Sequence, residues 1–245
     1  MTLSNLPLHN SASQVIVALD FPDAGAALAC AGRLKNLVRW FKVGLELYLS
    51  AGNQVVDILK GQGFSVFLDL KLHDIPNTVA GAVRSAASTG ADMLTVHAAG
   101  GPAMLAAAAE AARSLSRPPK LLAVSVLTSM DAEQLRAIGV SGSPAEQVQR
   151  LAGLASQAGI GGLVASPEEI AQLRPAFPDL TLVIPGIRPA GSAKGDQKRI
   201  ATPSAAIAAG ADYLVIGRPI TQAPDPAQAA AAILDEIAGV NTMGR

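Results

Sequence analysis

The sequence has little of several features that would each point to a particular class of protein. Cys30 is the only cysteine among 245 residues, which excludes an internal disulfide and a metal site built from cysteines. Basic and acidic residues number 19 each, so no positive surplus favours nucleic acid or an anionic membrane as a partner. No apolar run reaches the roughly 18 residues that a membrane-spanning helix needs. Any site for an anion must therefore be built locally.

The composition is otherwise that of a chain with a large core. Half of the residues are apolar and 16% are charged, which argues against disorder. The first stretch, MTLSNLPLHNSASQ, lacks the basic and apolar segments of a secretory signal. We expect residues 1–13 to be a poorly ordered N-terminal extension and the protein to be soluble and cytoplasmic.

Short runs typical of buried strands alternate with stretches rich in Ala, Leu, Glu and Arg. The predicted strands are residues 15–20, 39–44, 65–70, 92–97, 121–127, 161–166, 181–186 and 212–217. The predicted helices are residues 24–36, 45–60, 78–89, 103–115, 145–158, 168–174, 203–209 and 226–238. Strict alternation of this kind predicts parallel strands with right-handed crossovers.

Eight such units without a linker predict a single α/β domain over residues 1–245, a (β/α)8 TIM barrel. A doubly wound open sheet is the alternative, but it usually has fewer strands. Active sites of such barrels lie at the carboxyl ends of the strands. The polar residues predicted at that rim are Asp20, Lys42, Asp69, Lys71, Asp74, His97, Thr128, Arg188 and Arg218.

The third predicted strand carries an unusual density of charge in the stretch VFLDLKLHDIPN. Asp69 and Lys71 are two residues apart, so on a regular strand both side chains point to one face. Lys42 ends the second strand and can reach the same point, and Asp74 follows in the loop. A structural ion-pair network is the alternative, but buried ion pairs stabilise poorly compared with apolar packing. We therefore interpret this charged row as a catalytic centre.

The two histidines near this row are not predicted to bind a metal. His73 lies in the turn and is expected to pack or to form a hydrogen bond, and His97 is expected to support the site. They lack the i, i+4 spacing of a helical metal motif, and no third ligand lies nearby in the sequence.

The last two strands end in features typical of a phosphate site. Gly217 allows backbone N–H groups to approach an anion, and Arg218 adds a bidentate donor. The loop at 185–203 is rich in Gly, Lys and Arg, which suits a mobile lid over an anionic ligand, although an ordinary surface loop is possible. Phosphate sites of such barrels commonly follow the seventh and eighth strands. The sequence thus predicts a phosphorylated small-molecule substrate.

These motifs together resemble the orotidine 5′-phosphate decarboxylase family, in its bacterial monofunctional type. The resemblance runs in order through VIVALD, FKVGLELY, FLDLKLHDIPNTV, TVHAAGG, SVLTS, PGIRP, GDQKRIATP and DYLVIGRPIT. It implies a carboxy-lyase that converts orotidine 5′-monophosphate to UMP, the last step of de novo pyrimidine biosynthesis. It also implies that no metal or organic cofactor is used, and that two identical subunits share their active sites.

The resemblance further implies a role for each site residue. Lys71 is the implied proton donor, and the implied charged row consists of Lys42, Asp69, Lys71 and Asp74, with Asp74 reaching into the neighbouring subunit's site. Asp69 is implied to lie near the substrate carboxylate. The ribose is implied to contact Asp20, Lys42 and the neighbour's Thr78, and the pyrimidine is implied to contact Thr128 or an adjacent loop residue. The phosphate is implied to contact Gly217 and Arg218. Arg188 and Gln197 are implied to belong to the closing loop, where Gln197 bridges phosphate and base.

Three other functions remain open at this point. A metal-dependent epimerase or a 3-keto-gulonate-6-phosphate decarboxylase would use a metal near the aspartate of the third strand. A Schiff-base aldolase would use Lys71 as a nucleophile, although a neighbouring carboxylate favours the unreactive ammonium form. A phosphate-ligand binding barrel would bind nucleotides without turnover.

Overall fold

In a computed structural model, residues 10–190 and 199–243 are described. Within them, eight parallel strands form a closed barrel in chain order. The strands are β1 (Val15–Ala18), β2 (Trp40–Gly44), β3 (Ser65–Leu72), β4 (Met93–His97), β5 (Lys120–Val124), β6 (Gly162–Val164), β7 (Thr181–Ile184) and β8 (Tyr213–Ile216). Because β8 pairs with β1, the sheet has no open edge, and the predicted (β/α)8 barrel is confirmed.

Helices follow each strand and cover the outside of the barrel. They are α1 (Ala24–Arg33), α2 (Leu45–Ala51), α3 (Asn53–Gly61), α4 (Pro76–Ser88), α5 (Gly101–Arg113), α6 (Ala132–Ala137), α7 (Pro144–Gln157), α8 (Ile170–Ala176), α9 (Pro203–Ala208), α10 (Arg218–Thr221) and α11 (Pro226–Met243). None of the helices in the described part of the chain is long and apolar enough to span a membrane.

Local signals explain where the helices differ from the prediction. The predicted helix at 45–60 is two helices, because Gly52 adopts a φ of +61° that ends α2. The short helix α6 was not predicted, yet it has a capping box in which the Asp131 side chain accepts a hydrogen bond from the Gln134 N–H.

The N-terminal boundary also differs from the prediction. Asn10–Ser13 forms a 3-10 helix, and Ser11 and Ala12 are buried. The end of the predicted extension is therefore part of the folded domain. Residues 1–9 lie outside the described residues.

Alternation along the strands separates two apolar regions. On β1, Val15 and Val17 face outward into the large cluster shared with the helices. Ile16 and Ala18 face inward, where they join Phe67 and Met93 in the barrel interior. The next inward positions toward the carboxyl ends are polar: Asp20 beyond β1, Lys42 on β2, Asp69 on β3 and Thr95 on β4. The barrel interior is thus apolar in its lower part and polar near the carboxyl ends of the strands.

Candidate active site

The carboxyl ends of the strands open into a cavity of about 590 Å³, a size typical of small-molecule sites. Apolar side chains, including Phe67 and Val215, line its lower part. Eight of the residues predicted from the sequence line it as well: Asp20, Lys42, Asp69, Lys71, Thr128, Arg188, Gly217 and Arg218. The structure therefore brings together most of the predicted site.

Four of these side chains form a continuous row of alternating charge. The Lys42 ammonium donates a hydrogen bond to Asp20 Oδ1 at 2.9 Å, and its Nζ lies 3.5 Å from Asp69 Oδ2. Lys71 Nζ lies 2.9 Å from each carboxylate oxygen of Asp69. Within one chain, the row is therefore Asp20, Lys42, Asp69 and Lys71. Asp20 joins the row at its Lys42 end, and Asp74 is not part of the row within one chain.

The row keeps its two most buried members ionised. Burial by itself would raise the pKa of Asp69, but the ammonium groups of Lys42 and Lys71 outweigh burial and hold that pKa below its ordinary value of 3.8. Burial likewise disfavours charged Lys42, but Asp69 and Asp20 raise its pKa above the ordinary 10.5. The contribution of the Asp69 carboxylate to the stability of the fold is lost as pH falls through its lowered pKa. The contribution of the Lys42 ammonium is lost as pH rises through its raised pKa. Both groups stay charged across the neutral range.

Asp69 and Lys71 do meet, but not across a regular strand as predicted. Leu68 pairs with Leu94 and Leu72 pairs with Val96, so β3 bulges between these two pairs. Lys71 lies in the bulge with a φ of +50°, the one positive φ of a non-glycine residue in the described part of the chain. This left-handed conformation costs roughly 1–2 kcal/mol. The bulge, rather than simple alternation, directs the Lys71 side chain.

Thr95 is a polar residue of this layer that the sequence analysis missed. It is fully buried, and its hydroxyl donates a hydrogen bond to Asp69 Oδ1 at 3.0 Å and accepts one from the Lys71 N–H at 2.8 Å. Alternation along β4 could have identified it, since Thr95 is the inward position next to Met93.

Two of the predicted residues lie outside the cavity of their own chain. Asp74 is exposed, and its Oδ1 accepts a hydrogen bond from the Ile75 N–H at 2.6 Å. Thr78 is exposed in the first turn of α4. Gln197 lies outside the described residues.

His73 and His97 stack on each other beside the row, with ring centroids 5.2 Å apart and ring planes at 16°. Nδ1 of His97 accepts a hydrogen bond from the Ala99 N–H. Burial, together with the charges of His73 and Lys71, lowers the pKa of His97. Among the residues that the structure describes, no three His, Cys, Asp or Glu side chains form a group that could hold a metal ion.

The predicted phosphate residues lie in the segments that follow β7 and β8 and line the same cavity. Gly217 precedes α10 and packs against β1, where a Cβ would lie 3.5 Å from the Ala18 Cβ. Arg218 is the first residue of α10. Arg188 is buried and donates a hydrogen bond from Nη1 to the Ile187 carbonyl at 2.8 Å. Its backbone N–H donates to the Ala201 carbonyl at 2.9 Å, which closes the base of the loop after β7.

Comparison with known proteins agrees with this geometry. The model of the "Orotidine 5'-phosphate decarboxylase / HUMPS family" matches residues 13–233. The chain belongs to this family. It is 57% identical over 226 residues to the orotidine 5′-phosphate decarboxylase of Halorhodospira halophila, covering 92% of this chain and 96% of the relative. The family resemblance predicted from the sequence motifs is confirmed.

Two further relatives of the orotidine 5′-phosphate decarboxylase family extend the comparison. The enzyme of Moorella thermoacetica is 52% identical over 244 residues, covering 97% of each chain. The crystal structure of orotidine 5′-phosphate decarboxylase from Lactobacillus acidophilus superposes with a TM-score of 0.82 at 39% identity, covering 92% of this chain and 99% of that one. The family fold thus extends over nearly the whole chain.

This family member also contains a buried ion pair that the sequence analysis missed. Arg199 pairs with Glu169, and its Nη2 donates hydrogen bonds to the carbonyls of Val126 and Leu127. Glu169 also accepts a hydrogen bond from the Ser166 N–H at 3.0 Å. The pair joins the segment that begins at Arg199 to the segment leading into Thr128. Nothing in the local sequence signals this pair, because its members are 30 residues apart.

Gly44 allows the row to form, since a Cβ there would lie 2.8 Å from Lys42 Nζ and 3.1 Å from Asp20 Oδ1. Its φ of −93° is open to alanine, so the effect of a Cβ is local. We expect Gly44→Ala to displace the Lys42 ammonium and to lower kcat/KM about 10- to 100-fold, because small displacements in a site have effects of this size. Steady-state assays with orotidine 5′-monophosphate measure this change.

The matched control is Gly32→Ala in α1, where an added Cβ meets no atom within 4 Å. It should keep wild-type kinetics and melt at or slightly above the wild-type temperature. Wild-type kcat/KM in Gly44→Ala would show that the position of the Lys42 ammonium does not matter.

Proposed function

We propose that this protein catalyses the reaction of its family, the decarboxylation of orotidine 5′-monophosphate to UMP and CO2, in the last step of de novo pyrimidine biosynthesis. The observation that carries the proposal is the row Asp20, Lys42, Asp69 and Lys71 on one wall of the cavity. This row places an ammonium group, held by a carboxylate, where a small anionic ligand can reach it. The identity to relatives named orotidine 5′-phosphate decarboxylase supports the choice of substrate.

The chemistry explains why an ammonium group is needed. Loss of CO2 from C6 of the pyrimidine leaves an electron pair that cannot delocalise into the ring π-system. A cation beside C6 stabilises that charge as it develops, and an ammonium can then donate the proton that completes UMP. Lys71 takes this role in our proposal, without a metal or organic cofactor.

Asp69 has two functions in this mechanism. Its carboxylate holds the Lys71 ammonium through both oxygens. Placed near the substrate carboxylate, it would also repel that group, and the repulsion would be relieved as CO2 leaves. Lys42 lies between the buried Asp69 and the exposed Asp20 and forms an ion pair with both carboxylates.

The remaining lining residues would bind the nucleotide away from C6. We propose that Asp20 and Lys42 bind the ribose hydroxyls and that Thr128 contacts the pyrimidine. The Gly217 N–H and the Arg218 guanidinium would bind the phosphate, with Arg188 and Gln197 contributed by the loop after β7. Binding energy from the phosphate could then be realised in the transition state, far from the reacting carbon.

A direct assay tests the proposed function. Purified protein is mixed with orotidine 5′-monophosphate, with and without EDTA, and the loss of substrate absorbance is followed while UMP and CO2 are identified. We expect equal turnover in both samples. Turnover that EDTA abolishes would favour a metal-dependent enzyme, trapping by borohydride would favour an aldolase, and tight nucleotide binding without turnover would favour a binding protein.

We also propose that two copies of the chain form a homodimer through the rim that follows β2 and β3. Three large apolar side chains are exposed there: Leu45 and Leu49 at i, i+4 on α2, and Ile75 before α4. Asp74 and Thr78 belong to the same segment and are absent from the cavity of their own chain. Burial of the apolar side chains would drive association, and Asp74 and Thr78 could then complete the partner's site.

Mixing two inactive variants tests the shared site. Lys71→Ala removes a residue from its own cavity, and Asp74→Ala removes one from the partner's cavity. Co-refolded in equal amounts, half of the dimers are mixed, and each mixed dimer has one site with both residues intact. We therefore expect about a quarter of the wild-type activity to return, measured against each variant refolded alone. If the mixture stays inactive while dimers form, Asp74 does not act in the partner's site.

We propose that the protein acts in the cytoplasm. Support comes from the sequence, whose lone cysteine, Cys30, is buried and free.

A further inference from the structure

Thr95 has contacts that suggest more than packing. It lies on the inward face of β4 and is fully buried. Its hydroxyl has two partners, and both belong to the charged end of β3: the Lys71 N–H and the Asp69 carboxylate. A single hydroxyl therefore contacts the backbone of one member of the row and the side chain of another.

The pairing of the strands explains why this hydroxyl is needed. Between the pairs Leu68–Leu94 and Leu72–Val96, three residues of β3 are opposed by Thr95 alone. The bulged chain therefore departs from the regular pattern of strand pairing. The Lys71 N–H donates its hydrogen bond to the Thr95 hydroxyl at 2.8 Å. A partly buried N–H that loses its hydrogen-bond acceptor is disfavoured, so the Thr95 hydroxyl favours the bulged conformation over a relaxed one.

The same hydroxyl restricts the carboxylate. Asp69 Oδ1 accepts hydrogen bonds from Thr95 and from the Lys71 ammonium, while Oδ2 faces both ammonium groups of the row. With both oxygens engaged, the carboxylate has one favourable orientation. Lys71 is directed by its backbone and by this carboxylate, and both depend on Thr95.

We propose that Thr95 is a positioning residue for the decarboxylation: its hydroxyl holds the left-handed backbone of Lys71 and the Asp69 carboxylate, and so aims the Lys71 ammonium at the reacting carbon. The inference rests on the proposed function. A residue that served only the packing of the core would affect stability, whereas a positioning residue affects the chemical step selectively.

Substitutions at Thr95 separate these roles. Thr95→Val keeps the shape of the side chain and removes the hydroxyl, and Thr95→Ser keeps the hydroxyl. We expect Thr95→Val to lower kcat about 10- to 100-fold with little change in KM, as for loss of a hydrogen bond to a charged group. Thr95→Ser should retain most of the wild-type kcat.

The matched control is Thr89→Val, which also removes a buried hydroxyl with two hydrogen bonds. Thr89 lies outside the cavity, so this variant should destabilise the fold without changing kcat.

A second measurement does not depend on turnover. In protein labelled with 15N-lysine, the Lys71 amide should exchange with solvent faster in Thr95→Val than in the wild type or in Thr89→Val at matched stability. Wild-type kcat in Thr95→Val, or unchanged exchange at Lys71, would overturn the proposal. If the wild type itself does not decarboxylate orotidine 5′-monophosphate, the proposed function fails, and the exchange result still decides whether Thr95 positions Lys71.

Discussion

Lys71→Ala is expected to abolish turnover while leaving UMP binding largely intact. General acid catalysis contributes about 10²- to 10⁴-fold, and removal of a group that stabilises a developing anion costs about 10²- to 10³-fold more. We therefore expect kcat to fall by at least about 10⁴-fold. Single-turnover assays with orotidine 5′-monophosphate measure the loss, and calorimetric titration with UMP measures the binding.

Lys71→Ala removes both a positive charge and an ion pair, so the control must remove a paired lysine elsewhere in the fold. Lys60→Ala is suitable, because Lys60 forms an ion pair with Asp92 at 2.6 Å outside the cavity. It should lower stability slightly and leave kcat unchanged. If Lys71→Ala retains near-normal kcat, Lys71 is not the proton donor, and another cation of the row must stabilise the carbanion.

Arg218→Ala is expected mainly to raise KM. Arg218 lines the cavity directly after β8, where the sequence predicts a phosphate site. Loss of a bidentate, charge-assisted contact lowers affinity by roughly 2–5 kcal/mol, so kcat/KM should fall by about 30-fold or more. Initial rates over a wide range of substrate concentration separate KM from kcat.

Two comparisons make this test specific. Arg33→Ala removes an exposed arginine paired with Asp225 away from the cavity and should keep the wild-type KM. Orotidine without its phosphate should be processed equally poorly by the wild type and by Arg218→Ala, since the lost contact is to the phosphate. An unchanged KM in Arg218→Ala would remove this residue from the phosphate site.

Much of the site could be predicted because a parallel barrel brings the carboxyl ends of all its strands to one rim. Asp20, Lys42 and Asp69 follow inward-facing apolar residues at a spacing of two along their strands, so alternation alone predicts their common direction. Gly217 and Arg218 were predicted from the end of the eighth strand in the same way. For these residues, the position along the strand is enough to predict that the residue lies at the cavity.

Other parts of the site depend on contacts between distant segments. The bulge in β3 arises from its register against β4, and register is a property of the pair of strands rather than of either sequence. For the same reason, the contact of Thr95 with Asp69 and Lys71 could not be predicted from β3 alone. The place of Asp20 in the row also became clear only when its hydrogen bond with Lys42 on the neighbouring strand was known.

By itself, the sequence determined the closed barrel, the family and most of the charged residues of the cavity, because hydrophobic periodicity and the order of motifs can be seen along the chain. Only the tertiary structure decided how the charges pair, which residue ends the row and what holds Lys71 in its left-handed conformation. These features depend on distances of a few ångströms between strands that are 20 or more residues apart, and the order of residues along a strand does not specify such distances.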